Sequence, residues 1–239
     1  MEAKSIFEAM VEHYVRCTSY EDTGTVDLEI VYSNRTDRST GSFSTTFIRP
    51  NLLRFDQIYE QSNFTSKLVI QSDGESFREM ITFVPEDHLP SYVSAHDSFE
   101  NGLKTLAGST LGVTTVTFTL MGIIESSLNF QESETLTRYN EELLDGENCY
   151  KLGAVIKPTH KTNATIWIST ETNSLKKYQL QTYLTEEHRR ENLQERKVLE
   201  LEGFEPEEDE CISLTTNIFF NEISFNNSIT VDKIALQAL

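Results

Sequence analysis

The sequence predicts an α+β fold: one large curved antiparallel sheet, an unclosed half-barrel, covered by an N-terminal helix and a central helical pair. Three observations point there. Short segments that alternate apolar and polar residues recur in both halves of the chain, the period-two signature of half-buried strands. Two stretches carry a helical period instead, one at the N-terminus and one between Pro85 and Ser127, so the helices are few and segregated from the strands. A sheet of roughly ten strands must curl, and curling around apolar helices while part of the concave face stays uncovered leaves a cavity open to one side.

Ala3, Phe7, Met10, Tyr14 and Cys17 fall on one helical stripe, with Ile6 and Val11 beside it, which predicts an amphipathic helix over about 3–18. Asp22, Thr23 and Gly24 break that pattern, after which Val26, Leu28, Ile30 and Tyr32 alternate as a strand with one buried face. Phe43, Thr45 and Phe47 alternate into Arg49-Pro50, and strands follow at 53–59 and 65–71. Asp73-Gly74 has the composition of a tight hairpin turn, with 75–83 as its return.

Pro85 and Pro90 mark an irregular crossing. Phe99, Leu103 and Leu106, then Val113, Val116, Leu120, Ile123 and Ile124, recur at helical spacing, a helical pair split near 108–112. Strands return at 135–144, 148–156, 164–169 and 175–184, with Asp145-Gly146 as a second hairpin signal. Charge dominates 186–210, and Glu205-Pro206-Glu207-Glu208-Asp209-Glu210 has nothing to bury. An acidic solvated loop is therefore expected at about 195–210. A last strand runs over 214–225. No composition break divides the 239 residues, so a single domain is expected.

A formal net charge of -18 repels phosphate backbones and anionic membrane surfaces alike. Nucleic acid is excluded as a partner. The longest apolar stretch, 111–124, is interrupted by Thr114, Thr115, Thr117, Thr119 and Gly122 and falls short of a membrane span. The residues begin Met-Glu-Ala-Lys and enter the amphipathic pattern at once, so no signal peptide is read in them. A cytosolic protein fits, and so does a mature secreted chain whose signal has been removed. Cys17, Cys149 and Cys211 are too few for a disulfide framework or zinc site. At most one bridge is expected, with Cys149 and Cys211 as its candidates.

No nucleophile, base or metal cluster has convincing spacing. Asp87-His88, His96-Asp97 and Glu186-Glu187-His188 match no ligand pattern and read as solvated surface charge. His13 borders the buried helix face, His160 sits in a turn, and Cys17 reads as core. No glycine-rich phosphate loop occurs. No catalytic residue, metal or cofactor is therefore expected. Four Asn-x-Ser/Thr sequons, at Asn34, Asn63, Asn163 and Asn226, matter only in a eukaryotic secretory setting.

Arg49 stands apart. It lies in Phe47-Ile48-Arg49-Pro50-Asn51-Leu52-Leu53-Arg54-Phe55, a charge in an apolar strand that must find a partner or gate something. A surface carboxylate as partner fits as well as a gating role. A half-open cavity lined by Phe43, Phe47, Leu53, Phe55, Leu68 and Ile70, or by their alternate neighbours, holds an acyl chain without a charged anchor. The same side chains equally well pack against the central helices, leaving no cavity.

The run Phe47-x-Arg-Pro-Asn-Leu-x-Arg-Phe, followed by Leu68-Val69-x-x-x-Asp73-Gly74, resembles the start of the periplasmic lipoprotein carrier family, LolA-like in fold. The resemblance implies that Arg49 lies on the inner face and hydrogen-bonds a helical lid in the closed, empty state, releasing it when acyl chains enter. Leu144-x-Gly146-x-x-Cys149-Tyr150-x-Leu152, with Ile166-Trp167-Ile168-Ser169-x-x-Thr172-Asn173-x-Leu175-x-Lys177, is similar to outer-membrane lipoprotein-sorting proteins, where it forms two strand pairs completing the sheet. The two likenesses together span most of the chain outside 195–210. They imply a non-enzymatic, periplasmic or otherwise extracytoplasmic protein that binds lipid or lipoprotein acyl chains. Arg49, Phe43, Phe47, Leu53, Phe55, Leu68, Ile70 and Leu120 are its expected ligand-binding residues, and envelope membrane proteins are possible partners. Two other readings remain: a sensor or scaffold module that recognises a protein partner, and a hydrolase or metal enzyme using the histidine and carboxylate groups.

Overall fold

The computed structural model describes residues 2–60, 64–85, 91–106, 109–125, 136–157, 162–184, 211–230 and 234. The expected acidic loop at 195–210 lies outside them, as do Asn63, Asp87, His88, His160 and the Glu186-Glu187-His188 group.

Helix α1 (Ala3–Arg16) buries Ile6, Phe7, Met10 and Tyr14, the stripe that its spacing predicts. It ends at Cys17, whose backbone is extended. Strand β1 (Ser19–Tyr32) starts almost at once and runs straight through the Asp22-Thr23-Gly24 segment. Composition marks that segment as a break. Pairing on both sides overrides the local preference, because β1 is hydrogen-bonded to β2 (Thr36–Ile48) and to the last strand.

A meander continues through β3 (Leu52–Glu60), β4 (Thr65–Asp73) and β5 (Phe77–Val84). The Asp73-Gly74 hairpin signal is met between β4 and β5: Gly74 has φ of 96°, and Asp73 Oδ1 accepts from the amides of Glu75 and Ser76 at 3.0 and 2.8 Å. Strand β6 (Tyr92–His96) occupies part of the region that the prolines mark as irregular. It adds to β5 as an edge strand. Helices α2 (Phe99–Thr105) and α3 (Val113–Leu120) form the expected central pair. Then come β7 (Thr137–Arg138), β8 (Glu142–Leu144), β9 (Glu147–Lys157), β10 (Thr162–Ser169), β11 (Leu175–Tyr183) and β12 (Cys211–Phe225). Asp145 and Gly146, with φ of 50° and 86°, make the tight turn between β8 and β9.

Among the described residues, the result is one twelve-stranded antiparallel sheet in the order β6-β5-β4-β3-β2-β1-β12-β11-β10-β9-β7, with β8 paired to β9. The two end strands of this order do not pair with each other there, so the sheet is the unclosed half-barrel expected. Two meanders meet where β1 pairs with β12, so the first and last strands sit in the middle of the sheet.

Register places the inner face. One row carries Tyr20, Phe47, Leu53, Ser72 and Phe77 across β1 to β5; the next carries Asp22, Thr45, Phe55, Ile70 and Glu79; a third carries Gly24, Phe43, Gln57, Leu68 and Ile81. The helices pack on these rows. Phe118 of α3 meets the Phe47 ring edge-on at 5.2 Å, and Phe99 of α2 stacks on Phe47 at 6.0 Å.

Gly24 is required by close approach. A Cβ there would lie 2.1 Å from the Phe219 carbonyl oxygen and 2.4 Å from Phe43 Cζ. Gly24→Ala is expected to separate β1 from β12 at the centre of the sheet and to cost about 3 kcal/mol. Urea unfolding checks this; an unchanged midpoint would show that the central pair tolerates a side chain there.

The candidate Cys149–Cys211 bridge is not formed, and no disulfide joins Cys17, Cys149 and Cys211. Cys149 is the third residue of β9 and Cys211 the first of β12, with β10 and β11 between the two strands. Three strand spacings of about 4.8 Å exceed the reach of about 7 Å between bridged Cα atoms.

Candidate functional site

Arg49 follows β2 directly, and its amide donates to the Thr18 carbonyl at 2.9 Å. Its guanidinium then spans two helix ends. Nε donates to the Cys17 carbonyl at 2.7 Å, and Nη2 to those of Tyr14 and Val15 at 3.3 and 3.2 Å. Nη2 also reaches the Met121 carbonyl at 2.9 Å. Tyr14 and Val15 close α1, and Met121 caps the C-terminus of α3.

The last carbonyls of a helix have no partner within it and carry the negative end of the helix dipole. A cation placed between two such ends satisfies both at once. Arg49 makes no ion pair among the described residues, so backbone carbonyls occupy the place that a surface carboxylate would. It joins the end of β2 to the N-terminal helix and to the short central helix.

The apolar candidates come together beneath α3. Phe43, Phe47, Leu53, Phe55, Leu68 and Ile70 are buried on the inner face, and Leu120 of α3 joins the same core. The alternate set, including Ile48, Leu52 and Arg54, points the other way. Phe43 stacks near Phe55 at 6.3 Å and meets Phe220 of β12 edge-on at 5.7 Å. In this arrangement the helices themselves fill the inner face. A separate cleft of about 500 Å³ opens beside the end of α3, lined by Asn51, Ser72, Glu75, Asp97, Glu100 and Ile123 among others. Its carboxylates suit neither an acyl chain nor an anion.

Among the described residues, the histidine and carboxylate groups do not assemble. His96 lies on β6 with its ring 5.7 Å from Phe77, and His13 is exposed with its edge toward Phe225. No cluster of three or more metal-ligating side chains occurs among the described residues.

Sequence reasoning missed Asp22. It is buried on the inner face, where the Tyr20 hydroxyl donates to its Oδ2 at 2.7 Å. Burial raises its pKa from 3.8 to about 6, with Thr45 and Tyr20 partly offsetting the rise. The same burial pushes the Tyr14 and Tyr20 hydroxyls up, so both stay neutral. A signal was available: Tyr20, Asp22, Gly24 and Val26 share one alternating set, which places an acid among core positions.

A folded-state pKa above the unfolded value means that the native protein binds the proton more tightly. The stability contributed by protonated Asp22 is therefore complete below pH 3.8 and is lost as pH rises through about 6. The full difference is about 3 kcal/mol. Asp22→Asn is expected to be more favourable relative to the wild type by about 2–3 kcal/mol at about pH 7.5 than at about pH 4. Urea titrations of both proteins at the two pH values check this, because effects independent of protonation cancel. An equal difference at both would show that Asp22 does not titrate under the helix.

No protein-family model matches the chain, and no curated protein matches it. Among solved structures, it is similar to an outer membrane lipoprotein-sorting protein domain from Vibrio parahaemolyticus, at 7% identity over 97% of this chain and 95% of that one, TM-score 0.35. A chain of the Pseudomonas aeruginosa MucA/MucB complex aligns at 11% identity over 99% of this chain and 61% of its own, TM-score 0.42. A LolA superfamily protein from Nitrosomonas europaea aligns at 12% identity over the whole of both chains, TM-score 0.28.

Proposed function

We propose that the protein is an extracytoplasmic, non-enzymatic binding protein for the acyl chains of lipid or lipoprotein, with α3 as a lid over the inner face and Arg49 as its latch. The observation that carries this reading is the guanidinium of Arg49 bonded at once to the ends of α1 and α3. A side chain that served only to finish a strand would not need to hold two helix termini. Helix α3 has eight residues, too short to be stable without its packing, so what holds it down decides where it lies.

The energies are compatible with exchange. Lifting α3 uncovers Val113, Val116, Phe118 and Leu120, each worth about 1.5–3 kcal/mol when buried. A chain that buries about ten methylenes on the vacated rows of Phe43, Phe47, Phe55 and Leu68 returns about 8 kcal/mol. The two are of similar size, as a carrier that must both load and unload requires. The net charge of -18 keeps the carrier from adsorbing to anionic membrane surfaces.

A second reading, a module that recognises a protein partner, draws on β6. This edge strand exposes Tyr92 and Val93 and is paired on one side only among the described residues, which suits addition of a partner strand.

Purification without detergent from a lipid-containing host, followed by native mass spectrometry and analysis of the organic extract, tests the choice. A phospholipid, fatty acid or acylglycerol at near-stoichiometric level is the expected result. A clean apo mass that persists after incubation with lipid would overturn the acyl-binding reading in favour of a protein partner.

A further inference from the structure

Among the described residues, the inner face carries buried polar atoms without a well-formed hydrogen bond. Asp22 of β1 and Thr45 of β2 are direct cross-strand neighbours, 3% and 2% exposed. Gln57, also 2% exposed, stands two residues along β3 from Phe55, the residue opposite Thr45. From above, Thr117 of α3, 1% exposed, brings its hydroxyl toward that of Tyr20. Asp22 Oδ1, Thr45 Oγ1 and Gln57 Nε2 each lack a well-formed hydrogen bond among the described residues, the Thr45 hydroxyl standing only near enough to Asp22 to offset part of its pKa rise.

Buried polar groups are normally paired, and each exception asks for an explanation. Three exceptions on the neighbouring strands β1, β2 and β3 share one. The carboxylate oxygen can only accept while ionised, and the Thr45 hydroxyl and the Gln57 amide can donate. Together they match a group that offers a hydroxyl beside a carbonyl.

We infer that Asp22, Thr45 and Gln57, uncovered when α3 and its Thr117 lift, form a polar subsite within the acyl-binding face, which takes the uncharged hydroxyl-and-ester head of an acylglycerol while its chain lies along Phe43, Phe55 and Leu68. The inference rests on the acyl-binding reading above and adds a head-group preference to it. Asp22 gives the preference its sign. A carboxylate or phosphate head would meet a buried acid with no cation contributing to its surroundings among the described residues, which is unfavourable for both charges. The hydroxyl of an acylglycerol donates to Asp22 Oδ1 instead, and the ester carbonyl accepts from Thr45 and Gln57.

The test uses the delipidated full chain loaded with the neutral fluorophore N-phenyl-1-naphthylamine, displaced by 1-oleoylglycerol or by oleate. These two ligands share a chain and differ in the head. 1-Oleoylglycerol is expected to displace the fluorophore from the wild type at a concentration at least about tenfold below that of oleate, the size of one hydrogen bond involving a charged group. In Thr45→Val and in Asp22→Asn, both nearly isosteric, that preference should fall below about threefold, the first by weakening 1-oleoylglycerol and the second by strengthening oleate. Circular dichroism of each variant establishes that it is folded. Equal displacement by both lipids in the wild type would overturn the subsite and leave acyl binding standing. A preference unchanged in both folded variants would overturn its assignment to these residues, and displacement by neither lipid would overturn acyl binding and the subsite together.

Discussion

Arg49→Leu is expected to bind an apolar ligand more tightly than the wild type, by about 30-fold in apparent affinity. The guanidinium closes α3 against the end of α1 through carbonyls of Cys17, Tyr14, Val15 and Met121. A hydrogen bond involving a charged group contributes about 1.5–3 kcal/mol. Carbonyls at helix ends can turn to water once the cation is gone, so the net loss to the closed form is set at about 2 kcal/mol, near the lower figure. Where binding requires the open form, apparent affinity rises by the factor by which that form is enriched, here about 30. Leucine keeps the aliphatic bulk and removes the donors. Arg49→Lys should fall between the two, since a single ammonium cannot reach both helix ends as a planar fork does. Fluorophore titration of the three proteins checks the order. Equal affinities in folded variants would remove Arg49 from the mechanism.

Phe47→Ala is expected to be the most destabilising of the core truncations under the lid, at about 3–5 kcal/mol. Phe47 is fully buried and touches both central helices, with Phe118 at 5.2 Å and Phe99 at 6.0 Å. Its removal empties space that neither the sheet nor a short helix can easily refill, so transfer and cavity terms add. Phe118→Ala removes the opposing ring and should not add its full cost to the first, because the two share one contact. Urea unfolding of the single and double variants measures the coupling. Strict additivity would mean that α3 does not rest on Phe47.

How far these features can be read from the chain alone differs by kind. The stripe Phe7, Met10, Tyr14 and the alternation of Phe43, Thr45 and Phe47 are written in the residues that bury themselves, so α1, the strands and the inner face follow from spacing. Arg49 is conspicuous as a charge in an apolar run. Its partners are not, because they are backbone carbonyls as far as 72 residues away and every residue carries one. Strand β6 and the start of β1 were hidden by prolines and by Asp22-Thr23-Gly24, local turn signals that pairing with neighbouring strands outweighs. The same turn-like composition concealed Asp22, whose importance depends on facing Thr45 and on accepting from the Tyr20 hydroxyl. The absence of a Cys149–Cys211 bridge needed strand order, since nothing in the separation of the two residues along the chain says that two strands stand between them.

Hydrogen exchange of the wild-type protein, with and without saturating 1-oleoylglycerol, tests the lid most directly. The amides of 113–121 are held within α3 and its cap, Met121 donating to the Thr117 carbonyl at 3.1 Å, while those of β1 and β2 are held by the sheet. Loss of protection in 113–121 on lipid binding, with β1 and β2 unchanged or better protected, is the predicted result. Unchanged or greater protection of 113–121 with lipid demonstrably bound would contradict the account, since the chain would then lie elsewhere and α3 would be a fixed part of the core.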